Sequence, residues 1–390
     1  NNGREARVHI HAPVSLLAGE NFTTLLGRDS DYQNYTVITS LGAQGSTTGA
    51  DLQGMRGNLA KNYALGASID ASATENWNSG KGFAPIGTSF DHSFRGRLDG
   101  LGNQVTGLHL DRPDAKLAGL IGVLHLSGSV SNLGLVDTSI FGSNEQAVPS
   151  GTQGIGSLVG DNYGQIADSY ATGVVDGHAV VGGLVGQNRS SGSITRSYAV
   201  SQLSYRVNWS GGFVGINHGT ITDSYAVADL EQAHWKVGGF VGQNTSTGTI
   251  RDSYAASVVT PYLGPNFSLT GGFVGSNEGS LTNTFNRGAA NPYTQSTYGT
   301  KTEGVWTGFD FDNTWFMIDG QTRPMLRMER STQITNANQL QLMAAAPHLD
   351  YTLATDLDVT TELRRMGGLW RDGFAPIGGA SDGAAFSGSF

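Results

Sequence analysis

Gly182-Gly183-Leu184-Val185-Gly186-Gln187-Asn188, followed by Gly192-Ser193-Ile194-Thr195-Arg196-Ser197-Tyr198-Ala199, is a phrase that this chain repeats. Copies of its first half begin at Gly156, Gly211, Gly238 and Gly271, and a degenerate copy stands at Gly119-Leu120-Ile121-Gly122. Successive Val-Gly glycines (Gly160, Gly186, Gly215, Gly242, Gly275) are separated by 26, 29, 27 and 33 residues. A period of this size marks a repeat architecture. The apolar positions hold Ile, Val, Phe, Tyr and Thr, which suit a pleated surface. Gly and Asn supply the corners between short strands. No stretch of the repeats has the apolar spacing of an amphipathic helix. One coil cannot bury its own apolar face, so like strands must stack about 4.8 Å apart. The expected fold is all-β: a parallel β-helix, right-handed by the rule for parallel crossovers, with short loop and helix insertions.

Stacking aligns equivalent residues into ladders. Asn162, Asn188, Asn217, Asn244 and Asn277 form one, in which each amide bonds its neighbours and the local backbone. Tyr170, Tyr198, Tyr225 and Tyr254 form a second, continued by Phe285. Both read as structural, because a binding site seldom recurs identically in every coil. Ile166, Asp168 and Tyr170 share a strand parity, as do Ile221, Asp223 and Tyr225. With Ile and Tyr both inward, the Asp between them would be buried at high cost. A bulge or corner at the Asp-Ser step that returns the Asp to solvent is therefore expected.

The 390 residues include 57 Gly, and only 14% are charged. A turn-rich solenoid grows by adding coils rather than cores, so length does not dictate several globular domains. The net charge is −9 and no basic run occurs, which argues against nucleic acid and anionic membrane. There is no Cys, hence no disulfide and no thiolate chemistry. No apolar run is long enough to span a bilayer and no signal peptide opens the chain, which reads as an excised fragment.

Five segments follow. Residues 1–34 read as the end of an upstream β-helix coil, with His9 and His11 on one strand face, too few for a metal site. Residues 35–117 form a module-opening block. It holds the strand at Tyr35–Ile38, a short helix carrying Leu52 and Met55, and the loop Gly82-Phe83-Ala84-Pro85-Ile86-Gly87. Residues 118–290 are the repeats, interrupted by a polar loop at 138–155. Residues 291–330 are an aromatic closing segment with Trp306, Phe309, Phe311, Trp315 and Phe316. Residues 331–390 start a second copy of the module. Leu340 and Met343 stand 288 positions after Leu52 and Met55, and Gly373–Gly378 repeats Gly82–Gly87.

The phrase and its Ser-Tyr-Ala ending resemble the GLUG motif. Tyr35–Gly42, Gly82–Gly87, Asp310–Trp315 and Asp319–Pro324 resemble segments of filamentous-haemagglutinin-like proteins. That resemblance implies a large secreted adhesin or biofilm-matrix fibre of a Gram-negative bacterium, exported through an outer-membrane partner (two-partner secretion). It implies a place at the cell surface or outside the cell and a role in attachment or aggregation. GLUG repeats also accompany secreted immunoglobulin-cleaving metalloproteases, but no His-Glu-x-x-His zinc motif occurs here.

Parallel β-helices also host polysaccharide lyases and hydrolases, which need paired carboxylates. Asp168, Asp223 and Asp252 would stack in one column with Arg196, and this column reads as a solvated edge rather than a catalytic site. Gly379-Ala380-Ser381-Asp382-Gly383 matches Gly-x-Ser-x-Gly without the strand and helix that a nucleophile elbow needs. The expectation is no enzyme activity, no metal and no cofactor. The candidate ligand contacts lie in the variable arms: Trp209, His234, Trp235, Tyr262 and Phe267. They are either platforms for sugar rings of an extracellular glycan or cell surface, or packing under a loop. A non-binding spacer remains the further alternative.

Overall fold

The structure is a computed structural model of the whole chain; the described residues are all except 1–9, 26–31, 144–152, 179, 204–207, 234, 262–269, 287–294, 297–302, 361–372 and 379–384. It is a parallel β solenoid with few helices. The Val-Gly-x-Asn segments Val159–Asn162, Val185–Asn188, Val214–Asn217, Val241–Asn244 and Val274–Asn277, with the degenerate Ile121–Leu124 before them, pair in parallel as one wall. A second wall carries the Ser-Ile-Thr segments, with Val130, Ile166, Ile194, Ile221, Ile250 and Leu281 in register. A third holds the short segments that precede each phrase, from Leu117–Ala118 to Thr270–Gly271.

The letters of the phrase explain this packing. Ile, Val and the Leu or Phe of Gly-Gly-Leu/Phe fill the tube, and Phe213, Phe240 and Phe273 stack at 4.8 Å centroid spacing. The Gly of Val-Gly is required by the narrowness of the tube. A Cβ on Gly186 would stand 2.4 Å from the Ile155 backbone nitrogen of the facing wall.

A corner does follow the Ile strand, but it acts differently from the expectation. Asn132, Asp168, Arg196, Asp223, Asp252 and Asn283 form a column with φ between +46° and +53°. This left-handed region suits Asp and Asn best among residues with a side chain. The corner reverses strand parity. Ser169, Ser197, Ser224 and Ser253 point inward and are buried, and the tyrosines that follow point out of the tube. Ile and Tyr therefore do not share an interior, and the corner leaves Asp168, Asp223 and Asp252 outside the tube and half-buried rather than fully solvated. The closing segment covers that flank: Trp306, Phe309, Trp315, Met317 and Leu326 form a second apolar cluster with Tyr198, Tyr225, Tyr254 and Phe285.

The closing segment runs back along the rod. Trp306 packs on Tyr254 and Phe285, Trp315 on Tyr225 and Tyr254, and Thr332 N donates to His11 O at 3.0 Å. Residues 331 onward thus begin beside the amino-terminal coils. There they repeat the geometry of the opening block. Gln53 bonds both backbone groups of Ala84 at 3.0 and 3.1 Å, and Gln341 bonds both of Ala375 at 3.0 and 2.9 Å. The Tyr63 hydroxyl donates to Asn58 O and the Tyr351 hydroxyl to Ala346 O.

Other expectations are corrected. Gly19–Thr24 is no ordinary coil; it pairs antiparallel with Gln33–Ile38. Residues 138–141 belong to the strand Gly134–Phe141 and not to a loop. The opening-block helix is a single 3-10 turn, Gln53–Gly57, whereas its counterpart Ala337–Leu342 is an α-helix capped by the Asn336 side chain. In that copy Leu342 is buried and Leu340 only partly so.

Candidate functional site

The Asn column is buried at four of its five positions. Asn162 Nδ2 donates to Asn188 Oδ1, Asn188 to Asn217, Asn217 to Asn244 and Asn244 to Asn277, each at 2.8 Å. Its groups are spent on one another and on the turn carbonyls of Gly192, Gly219 and Gly248. The tyrosine column stacks face to face, with Tyr170–Tyr198, Tyr198–Tyr225 and Tyr225–Tyr254 centroids 4.7, 4.9 and 5.1 Å apart and within 5° of parallel. The Tyr170 hydroxyl accepts from Gln104 Nε2 at 2.7 Å, and the Tyr254 hydroxyl donates to Pro324 O at 2.7 Å.

Sequence reasoning missed Glu329, which lies at the centre of this seam. Its carboxylate accepts from Leu326 N at 2.9 Å, Asn338 Nδ2 at 2.6 Å and the Tyr225 hydroxyl at 3.0 Å. Burial pushes its pKa up from 4.5 to about 7, and the three donors oppose that rise. Burial, reinforced by the nearby Glu329 charge, raises the Tyr198, Tyr225 and Tyr254 hydroxyls well above the ordinary phenol. Tyr170, Tyr198, Glu329, Ser331 and Gln339 also line a cavity of about 130 Å³.

The carboxylate column is engaged at every level. Asp168 and Arg196 form a bidentate pair at 2.7 and 2.6 Å. Asp223 accepts from Trp315 Nε1 at 3.3 Å, and Asp252 from Asn283 Nδ2 at 2.7 Å. Burial raises the Asp223 pKa. Among the described residues, no group of three or more His, Asp or Glu stands together as metal ligands. No helix among them is long and apolar enough to cross a membrane.

Of the proposed ligand contacts, His234, Tyr262 and Phe267 lie outside the described residues, as do His9 and the Gly379–Gly383 match. Trp209 and Trp235 do not share a column. Asn208 pairs with Trp235, and Trp209 N donates to Trp235 O at 2.8 Å. Trp209 is the extra residue of a bulge relative to Val180–Gly182, at φ +48°, and its indole packs partly against the interior. Trp235 precedes the equivalent bulge residue, Lys236 at φ +53°, and is 40% exposed.

A different surface has the form of a site. Phe90, Tyr163, Asp161, Arg112 and Lys116 line a groove of about 470 Å³ beside the first two phrases. Its residues come from loop 85–90, segment 112–117, Val123 of the Ile121–Leu124 strand, Asp161 of the Val159–Asn162 strand and Tyr163 just after it. Asp161 occupies the variable place of Gly-x-Asn that holds Gln187, Ile216, Gln243 and Ser276 in later coils. Arg189, one coil on, clamps it through Nε and through Nη2 at 2.9 Å. Burial raises the Asp161 pKa and Arg189 opposes this. That singular Asp–Arg pair was the available sequence signal.

The family described as the GLUG motif matches residues 233–260. Halomucin of Haloquadratum walsbyi is 38% identical over 148 residues, which is 37% of this chain and 2% of that protein. A protein provisionally described as a Gly-rich membrane protein, from Evansella cellulosilytica, is 32% identical over 120 residues, 30% of this chain and 13% of that protein. The chain thus spans a small part of the length of these relatives. A solved structure, described as that of a candidate immunoglobulin A1 protease from Bacteroides ovatus, superposes with a TM-score of 0.55 at 19% identity. It covers 76% of this chain and 93% of that one, a likeness of fold.

Proposed function

We propose that this β-helix repeat chain is part of a secreted or cell-surface protein of the filamentous-haemagglutinin, two-partner-secretion type. It serves attachment, aggregation or biofilm matrix by contacting extracellular glycan or a cell surface, and it leaves the cell through an outer-membrane secretion partner. The observation that carries this reading is Trp235, which is 40% exposed and is tied to the solenoid by an isolated parallel bridge to Asn208 and by Trp209 N donating to its carbonyl at 2.8 Å. An aromatic face on a rigid support stacks on sugar rings at little conformational cost. The likeness to halomucin and to a Gly-rich membrane protein supports a surface location.

In this reading the chain has no catalytic activity. The separate engagement of Asp168, Asp223 and Asp252 supports that. The test is retention of the fragment on a glycan array and aggregation of cells that display it, each compared with Trp235→Ala. Retention should fall at least tenfold with circular dichroism unchanged. Equal retention by the variant removes the face from the proposal. The flank sealed over the tyrosines favours, as a second reading, a spacer that binds nothing; a parent fragment silent in both assays selects it.

A further inference from the structure

We propose that the groove between Phe90, Tyr163 and Lys116 is a binding site for an acidic saccharide, a sugar bearing carboxylate or sulfate. It is separate from the Trp235 face and does not depend on it. Leu117, Gly154, Val180, Asn208 and Trp235 follow one another across the third wall, so the two places lie four strand spacings apart, about 19 Å.

Three features point to this ligand class. The first is a supported aromatic platform. Phe90 is 45% exposed, yet its loop is fixed by Thr88 N to His92 O at 3.1 Å, the Ser93 hydroxyl to Phe90 O at 2.6 Å and Arg95 Nη2 to Asp91 O at 3.0 Å. Its ring meets Tyr163 edge-on at 5.0 Å and His125 at 5.5 Å. An exposed ring held this rigidly offers a flat apolar face to the C–H face of a pyranose.

The second is charge. The Asp161 carboxylate is 2% exposed and satisfied by Arg189, whose guanidinium also lies 5.7 Å over the Tyr163 ring. That pair contributes no net charge. The remaining ionisable liners, Arg112 and Lys116, are both cations, and neither is in an ion pair among the described residues. Arg112 is anchored by Nε to Phe83 O at 2.8 Å and Nη2 to Gly82 O at 3.2 Å, and Lys116 is exposed. A chain of net charge −9 thus presents a locally positive groove. Such a groove attracts an anion and rejects the uncharged analogue.

The third is shape. About 470 Å³ lies within the range of small-molecule sites, and Thr88 and Ser89 supply hydroxyls for sugar hydroxyl groups at the rim. One or two sugar units would fill it, with the ring against Phe90 and the acidic group toward Lys116.

The test uses the whole 390-residue chain with tetrasaccharides from polygalacturonate, alginate and heparin, plus fully methyl-esterified tetragalacturonate as the uncharged control. Titration calorimetry should find at least one acidic probe bound. That binding should weaken about tenfold in Phe90→Ala and in Lys116→Ala, fall with added salt, and be unchanged in Trp235→Ala. Both substituted side chains are exposed, so melting temperatures should match the parent. The proposal is overturned if no acidic probe binds at millimolar concentration. It is equally overturned if the methyl ester binds as well as the acid, or if neither Phe90→Ala nor Lys116→Ala changes the affinity. Loss in Trp235→Ala alone would leave the wall contact standing and remove the groove.

Discussion

Replacing Glu329 by Gln should remove a pH dependence from the seam between the rod and its closing segment. The folded-state carboxyl sits at about 7 instead of 4.5, a difference worth about 3 kcal/mol at 1.36 kcal/mol per pH unit. Because the folded pKa is raised, the folded state holds the proton more tightly than the unfolded chain does. The associated stability is fully present below pH 4.5 and is lost as pH rises through about 7. Gln keeps an oxygen for Leu326 N and does not ionise. The stability of Glu329→Gln minus that of the parent should therefore grow by about 3 kcal/mol between pH 4.5 and pH 8. Taking the difference between the two proteins cancels all other titrating groups. Urea unfolding followed by tryptophan fluorescence reads the seam directly, since Trp306 and Trp315 pack on the tyrosines. A difference that stays constant across this range within about 0.5 kcal/mol would refute the reasoning. It would mean that the three donors hold Glu329 near its ordinary value in spite of burial.

Two further outcomes follow from the ladders and corners. Asn217→Leu deprives the Asn188 amide of its 2.8 Å acceptor, leaving only carbonyls at 3.4 Å, and the Asn244 oxygen of its donor, so it should cost about 2–4 kcal/mol, while Asn277→Leu, at the partly exposed end of the column, should cost less than half as much; equal melting temperatures would count against the chain of bonds. Gly239→Ala places a methyl 2.2 Å from Gly272 O, where backbone cannot yield, and should lower stability by about 1–3 kcal/mol or prevent folding; a melting temperature within a degree of the parent would show that the coils can separate there.

The repeats were legible because stacking converts identity of letters into adjacency in space. Asn188 and Asn217 meet because both end a Val-Gly-x-Asn strand, and Tyr198 and Tyr225 meet because each opens the strand after the corner. Which way the tyrosines face was not legible. The left-handed corner at Asp168 and its equivalents reverses parity within one residue, and the cover comes from Trp306 to Glu329, far along the chain. Trp209 and Trp235 stand at different offsets from Gly211 and Gly238 in the sequence, and the structure accordingly sets them in different columns, with Trp209 at a bulge. The groove was hidden for the opposite reason. Phe90, Asp161 and Lys116 occur once each, so no period advertises them. Its trace was an Asp in a column otherwise filled by Gln, Ile, Gln and Ser, with an Arg one coil above. Gln53 and Gln341 were likewise overlooked, since nothing in the local pattern shows that an amide will clamp a backbone 31 and 34 residues away.

The path of the closing segment has a bearing on how such modules would assemble into something longer. Repetition of a solenoid suggests a mast raised coil upon coil, with each duplicated module adding its full height. Here the chain descends the outside of its own stack before the second copy opens, at the level of His11 and Gln104. A tandem array built on this hand-over would advance sideways, like planks in a fence. Its breadth would increase with copy number while its height stayed near that of one module. Negative-stain images of a two-module protein would separate the cases: a doubled long axis belongs to the mast, and a doubled width at constant length to the fence.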